Sequence, residues 1–224
     1  AYIREQLDSI LCQLGPGDEV IVSDDGSTDG TLSLVESYRD PRIKVLNHVK
    51  SRRYPHAADY TTHNFEHALR HARGETVFLS DQDDVWLPGK VEVMKESLRE
   101  HLLAVADCTI TDGALRVLHP SYFEIHRTRP GVWNNLYINA FVGSSMAFRR
   151  ELLDVALPFP DQDVGHDLWL GLLATCRGKV DFIRRPLVLY RRHEQTVSPT
   201  GKKSTLSLTY RIFYRLKTAA ALAL

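Results

Sequence analysis

Cysteine is scarce. Three residues, Cys12, Cys108 and Cys176, are spread through 224 positions with no CxxC pair. That excludes a disulfide framework, offers no structural zinc pattern, and makes a reducing, cytoplasmic compartment the default expectation. An excess of charge of either sign is also lacking: 28 Lys and Arg balance 28 Asp and Glu. No global basic field draws in nucleic acid, so an anionic ligand has to be bound by local groups. No apolar run approaches the roughly 20 residues needed to span a bilayer. The opening AYIREQLDSI has neither an initiator methionine nor a signal-peptide pattern, and the natural chain is expected to extend further upstream. What is present is ordinary globular composition, 43% hydrophobic and 25% charged, in a chain long enough for a real core.

Hydrophobic periodicity organises the first half. Ile3, Leu7, Ile10, Leu11 and Leu14 follow helical spacing, and Gly15-Pro16-Gly17 stops that helix. A strand over residues 19–23, a turn-rich DDGSTDG, a helix carrying Leu32, Val35 and Tyr38 and a strand near 43–46 make a βαβ unit. Residues 48–63 are polar and carry no clear period. Phe65, Ala68, Leu69 and Ala72 then restore a helix before a strand over 76–80, with a further helix near 87–101. This alternation predicts an α/β fold with a Rossmann-like, mostly parallel sheet flanked by helices, whose ligands sit at the carboxyl ends of strands. Beyond a strand over 102–110 the pattern weakens, with a strand around 145–148 and a short helix at 168–176. A mixed second half is expected there, sharing one continuous sheet with the first. The expected units are residues 1–110, 111–203 and a C-terminal amphipathic helix over 204–224.

Two acidic clusters lie where hydrophobic strands end. In VIVSDDGSTDGT, residues 20–31, the strand runs into Asp24 and Asp25. Carboxylates there suit a base imide N–H or ribose hydroxyls and suit phosphate badly. The same residues are good turn and capping chemistry. They also approach a calcium loop, with Asp25, Ser27, Asp29, Gly30 and Glu36 at positions 1, 3, 5, 6 and 12, although a calcium loop follows a helix rather than a strand. In VFLSDQDDVW, residues 77–86, Asp81, Asp83 and Asp84 crowd three carboxylates together. Mg2+ or Mn2+ would relieve their repulsion and bridge to substrate phosphates. His63, His67 and His71 repeat every four residues without the acid of a zinc helix, and an exposed face is expected for them.

Taken in order, VIVSDDGSTDGT, FLSDQDDVWLPGK about 50 residues later, and GHDLWLGLLA resemble family 2 glycosyltransferases, which adopt the GT-A fold. The SDQDDVW form is similar to rhamnosyltransferases of that family. The resemblance implies that Asp25, with Asp24 beside it, binds the base and ribose of a nucleoside-diphosphate sugar donor. It makes Asp81-Gln82-Asp83 the family's DXD motif, with Asp81 at the ribose or metal and Asp83 ligating the metal, while Asp84 supports the site from behind. Asp167 stands at the position of the catalytic base, preceded by His166 where many members carry glutamate. His193 is similar to a histidine that reaches the metal or diphosphate in some GT-A enzymes. The family's first strand would lie ahead of Ala1.

The implied reaction is an inverting transfer to a saccharide or lipid-linked acceptor in cell-surface polysaccharide synthesis. A non-catalytic nucleotide-binding domain and a calcium-binding module are the competing readings. The tail, with Leu206, Tyr210, Phe213, Tyr214 and Leu216 among Arg211, Arg215 and Lys217, allows a peripheral membrane contact or a packing helix.

Overall fold

A computed structural model describes residues 2–49, 57–160, 164–193, Arg215 and 217–222. Helix α1 (Ile3–Leu11) buries Ile3, Leu7 and Ile10 along one stripe. Strand β1 (Val20–Asp24), helix α2 (Thr31–Ser37) and strand β2 (Ile43–Asn47) form the expected βαβ unit, with β1 and β2 parallel from Val20 opposite Ile43 to Asp24 opposite Asn47. Helix α3 (Ala57–Leu69) follows, then strands β3 (Thr76–Phe78) and β4 (Val85–Trp86) and helix α4 (Lys90–Ser97). The central strand β5 (Leu103–Thr111) is succeeded by β6 (Val117–His119), α5 (Tyr122–His126), α6 (Val132–Tyr137), β7 (Met146–Arg149), α7 (Leu153–Ala156), α8 (His166–Arg177) and β8 (Val180–Arg191).

Two sheets result among the described residues, where the sequence predicts one. The larger runs β3-β7-β5-β8-β4, with β6 attached to β5, and the smaller is β1 with β2. Parallel pairing holds for β1 with β2 and for β5 with β8, while the other four pairs are antiparallel, so the sheet is mixed. Among the described residues β3 pairs with β7 and β1 with β2, and no ladder joins the two sheets. Between them lies a cavity of about 940 Å³, lined by Val20, Ile21 and Val22 of β1, by Val77 and Phe78 of β3, and by α1.

The main core packs against the large sheet. Leu103, Val105, Met146, Phe148, Leu170 and Leu172 are essentially inaccessible. Residue 110 falls inside β5, in the middle of the sheet, so both sequence halves contribute to one core. Gly171 lets α8 come close: a Cβ there would stand 2.3 Å from the Phe141 ring. Most of the tail expected as an amphipathic helix, residues 204–214 with 216, lies outside the described residues. Arg215 and 217–222 are helical; Arg215 Nε and Nη2 each donate over 2.8 Å, to the Leu136 and Tyr137 carbonyls, and Ala221 joins the main core. This end of the tail is a packing element. No helix among the described residues is long and apolar enough to cross a membrane.

Candidate active site

The end of β1 separates its two aspartates. Asp24 is buried, and its Oδ2 accepts the Gly26 and Ser27 N–H groups at 3.0 Å each, holding the turn. Burial alone would raise its pKa, but the Ser27 hydroxyl and these two N–H groups bring it below the ordinary carboxylate value. Asp25 instead borders the cavity, with Oδ1 2.9 Å from His48 Nδ1. The three helical histidines are not an exposed row. His67 Nδ1 lies 2.9 Å from Ser23 Oγ and its ring 5.1 Å from that of His48, and burial first, then His48 and His71, lower its pKa. The loop after Asp24 follows a strand, so the helical entry of a calcium loop is missing.

The second acidic cluster is wired into the large sheet. Asp83 Oδ2 lies 2.8 Å from His193 Nε2, just past the end of β8. Asp84 is wholly buried and accepts the Arg191 N–H at 2.8 Å. The Arg191 guanidinium, 2% exposed, donates to the Asp83 carbonyl and the Gly113 carbonyl at 2.7 Å each, pairs with Glu5 and lies over the Tyr2 ring. It thus clamps the acidic loop to α1. Beneath, Lys90 is fully buried, donates to the Ser144 carbonyl at 2.6 Å and lies 4.0 Å over the Trp86 ring.

Electrostatics mark this loop. Asp81 is pushed well above the carboxylate range by burial, then by the charges of Asp84, Asp83 and Asp167. Burial also pushes Asp84 up to about 7, against the hydrogen bond from Arg191, and brings Lys90 down to about 7. Such clustered displacement marks functional sites. The charge of Asp167 acts on Asp81 although the two are remote in sequence, and Gly143, beside the Ser144 that Lys90 bonds, packs against His166 and Asp167 at the start of α8. Asp167 sits in the first turn of α8, where its Oδ1 accepts the Leu168 N–H at 2.7 Å and its Oδ2 accepts Asn139 Nδ2 at 3.4 Å. His166 is buried and stacked on Phe65 at 4.1 Å, with Nε2 lacking a hydrogen-bond partner among the described residues.

The donor set fits a hard divalent cation of the Mg2+ type. Asp84 Oδ2 is buried with no hydrogen-bond partner among the described residues, and the neighbouring carboxylates repel one another. Among the described residues no three acidic, thiol or imidazole groups converge on one point. Mg2+ and Mn2+ tolerate this, since they use one or two carboxylates, waters and substrate phosphates rather than a full protein cage.

Arg191, Lys90, His48 and Asn139 escape sequence reasoning as site residues. Signals for two of them exist: Lys90 closes the FLSDQDDVWLPGK segment, and Arg191 stands two residues before His193.

This α/β domain, with acidic loops at the ends of β1 and β3, has the GT-A fold. S. aureus TarS in complex with UDP-GlcNAc shares this fold with a TM-score of 0.68 at 20% identity, over 97% of this chain and 68% of that one. The chain belongs to glycosyl transferase family 2, whose family model matches residues 1–156. Among curated relatives, the dTDP-rhamnosyl transferase RfbG of Shigella flexneri is 26% identical, covering 99% of this chain and 82% of that protein. The UDP-Glc:α-D-GlcNAc-diphosphoundecaprenol β-1,3-glucosyltransferase WfgD of Escherichia coli is 31% identical over 76% of this chain and 64% of that protein. Against the first relatives matched, EpsE of Bacillus subtilis and Rv1520 of Mycobacterium tuberculosis, the chain spans 34% and 55% of their lengths.

Proposed function

We propose that this chain transfers a hexose from a nucleoside-diphosphate donor to a saccharide or lipid-linked acceptor, with inversion at the anomeric carbon. The observation that supports the reading is the approach of the start of α8 to the acidic loop: a Cβ at Gly143 would stand 3.8 Å from the Asp167 Cβ, the adjoining Ser144 carbonyl accepts from Lys90 beneath the loop, and the charge of Asp167 acts on Asp81. Asp25 accepts the imide N–H of a pyrimidine base and Asp81 meets the ribose. Rhamnose, carried on thymidine diphosphate, is the first sugar to try, because the SDQDDVW form and the RfbG relative both point toward it.

Mg2+ or Mn2+ held by Asp83, with Asp81 and His193 at its margin, would supply neutralisation of the leaving diphosphate, worth several kcal/mol in the barrier. The protein supplies the remainder. Asn139 orients the Asp167 carboxylate, Asp167 takes the acceptor hydroxyl proton, and that oxygen attacks the anomeric carbon from the face opposite the departing diphosphate. General-base assistance of this kind contributes roughly 10²–10⁴-fold. Arg191 and Lys90 keep the acidic loop in place from below, so its carboxylates need not rearrange as the donor binds.

A thermal-shift panel tests this: nucleoside diphosphates and nucleotide sugars with Mg2+, Mn2+ or chelator. One pyrimidine nucleotide should stabilise the protein only with metal, as mass action requires, and Asp83→Asn should abolish that shift. Calcium stabilisation without nucleotide, or silence across the panel from a folded sample, overturns the reading.

A further inference from the structure

The surface of α6 carries two strongly exposed aromatic side chains. Trp133 and Tyr137 stand one helical turn apart on its outer face, 81% and 68% exposed, and Ile138 beside them is 48% exposed. The opposite side of the same helix buries Asn135, so α6 is docked and its aromatic face is left outward by the packing. Large exposed apolar groups gathered on one face mark a contact surface, whereas scattered ones do not.

Charge says what the partner is. From Ile125 to Phe148 the sequence holds no Asp or Glu, and the exposed Arg127 and Arg129 lead directly into α6. The C-terminal segment docks on the end of this helix through Arg215, which also lies 5.0 Å over the Tyr137 ring. From residue 195 to 224 that segment again has no acid but carries Lys202, Lys203, Arg211, Arg215 and Lys217. Both stretches are basic in a chain whose formal charge is zero, so the remainder of the sequence is net acidic, and Arg215 brings a basic group of the second stretch to α6. Exposed Trp and Tyr set among arginines, with the opposite charge kept elsewhere, match the interfacial layer of an anionic bilayer.

We infer that the α6 face, with Trp133 and Tyr137 as its anchors, seats the protein on an anionic lipid surface. This places the contact on α6, with Arg215 beside it, rather than on the tail alone. Asn139, two residues beyond α6, donates to Asp167, so the surface adjoins the proposed base. A lipid-linked acceptor held at that bilayer would present its hydroxyl on the side where Asp167 stands; this last clause rests on the proposed transfer, and the membrane contact itself does not.

Tryptophan fluorescence gives a direct readout, because Trp86 and Trp169 are 5% and 6% exposed and Trp133 alone of the three faces solvent. The full chain is mixed with phosphatidylcholine vesicles, with and without phosphatidylglycerol, and followed by emission and co-sedimentation. Anionic vesicles should shift the emission to the blue and carry the protein down, and added salt should weaken both effects. Trp133→Ser with Tyr137→Ser should reduce vesicle affinity about tenfold or more. Arg127→Gln and Arg129→Gln should each cost about fivefold on anionic vesicles only. Unchanged melting temperatures show that the variants fold. Absence of binding to anionic vesicles, binding indifferent to Trp133 and Tyr137, or a blue shift that follows protein concentration without lipid overturns the inference; the last result marks a face that joins two copies of the chain. No nucleotide enters this assay, so failure of the transfer reading and failure of the membrane reading are seen separately.

Discussion

In the six-stranded sheet, β5 buries eight of its nine residues between β7 and β8, whereas β1, made of equally apolar residues, buries only Asp24. One region is a closed core with an acidic loop bolted to it by Arg191 and Lys90. The other is a two-stranded ribbon resting on Ile3, Leu7 and Val35, with a cavity along its free edge and Asp25 held by a histidine. The difference suits two tasks. Groups that meet developing charge gain from rigidity, because preorganised electrostatics cost no rearrangement at the moment of reaction. A base-recognition carboxylate needs only to offer an acceptor at the pocket edge.

Removing one carboxylate from each region should separate the two tasks. Asp167→Asn should lower turnover about 10²–10⁴-fold while leaving donor affinity and melting temperature in place. Asp25→Asn should do the reverse, raising the donor Kd with turnover at saturating donor largely kept. Measured kcat and donor Kd decide the matter, and comparable losses in both quantities for both variants would abolish the division of labour.

Next in size are core truncations read by urea unfolding. Phe148→Ala, at a position with no exposure, should cost about 3–5 kcal/mol. Val22→Ala, on the half-buried β1 beside the cavity, should cost under about 1 kcal/mol, because little of its surface is withdrawn from water. On the closed side, Gly171→Ala should cost about 1–3 kcal/mol by overpacking against Phe141.

The sequence discloses the ribbon better than the closed core, although the core is the more stable. Strand β1, helix α2 and strand β2 follow one another directly, so local periodicity and turn residues suffice. The partners of the large sheet are distant: Thr76 faces Arg149 on β7, and Trp86 faces Val188 on β8. Nothing local specifies those antiparallel pairings, which explains why a single, mostly parallel sheet is the natural reading of the alternation. The same holds in the site. Asp81, Asp83 and Asp84 announce themselves because adjacent acids at a strand end are conspicuous. Arg191 does not, since its meaning depends on Glu5 and the Asp83 and Gly113 carbonyls being brought to it by folding.

The smallest expected effect separates the neighbours Asp24 and Asp25. Asp24 holds its turn through two backbone N–H groups, and Asp24→Ala should cost about 1 kcal/mol, the usual net worth of such bonds. Asp24→Asn keeps an acceptor oxygen and should recover most of that stability, whereas Asp25→Asn affects donor binding and leaves stability alone. The pH dependence carries a definite sign. Because the folded pKa of Asp24 lies below its unfolded value of about 4, its contribution is fully present above pH 4 and fades as pH falls through the folded value. Asp24→Ala should therefore show a flatter loss of stability than the parent chain on acidification below pH 4. Parallel acid-unfolding curves for the two proteins would mean that the turn is held by its backbone, and that both aspartates are available to the ligand.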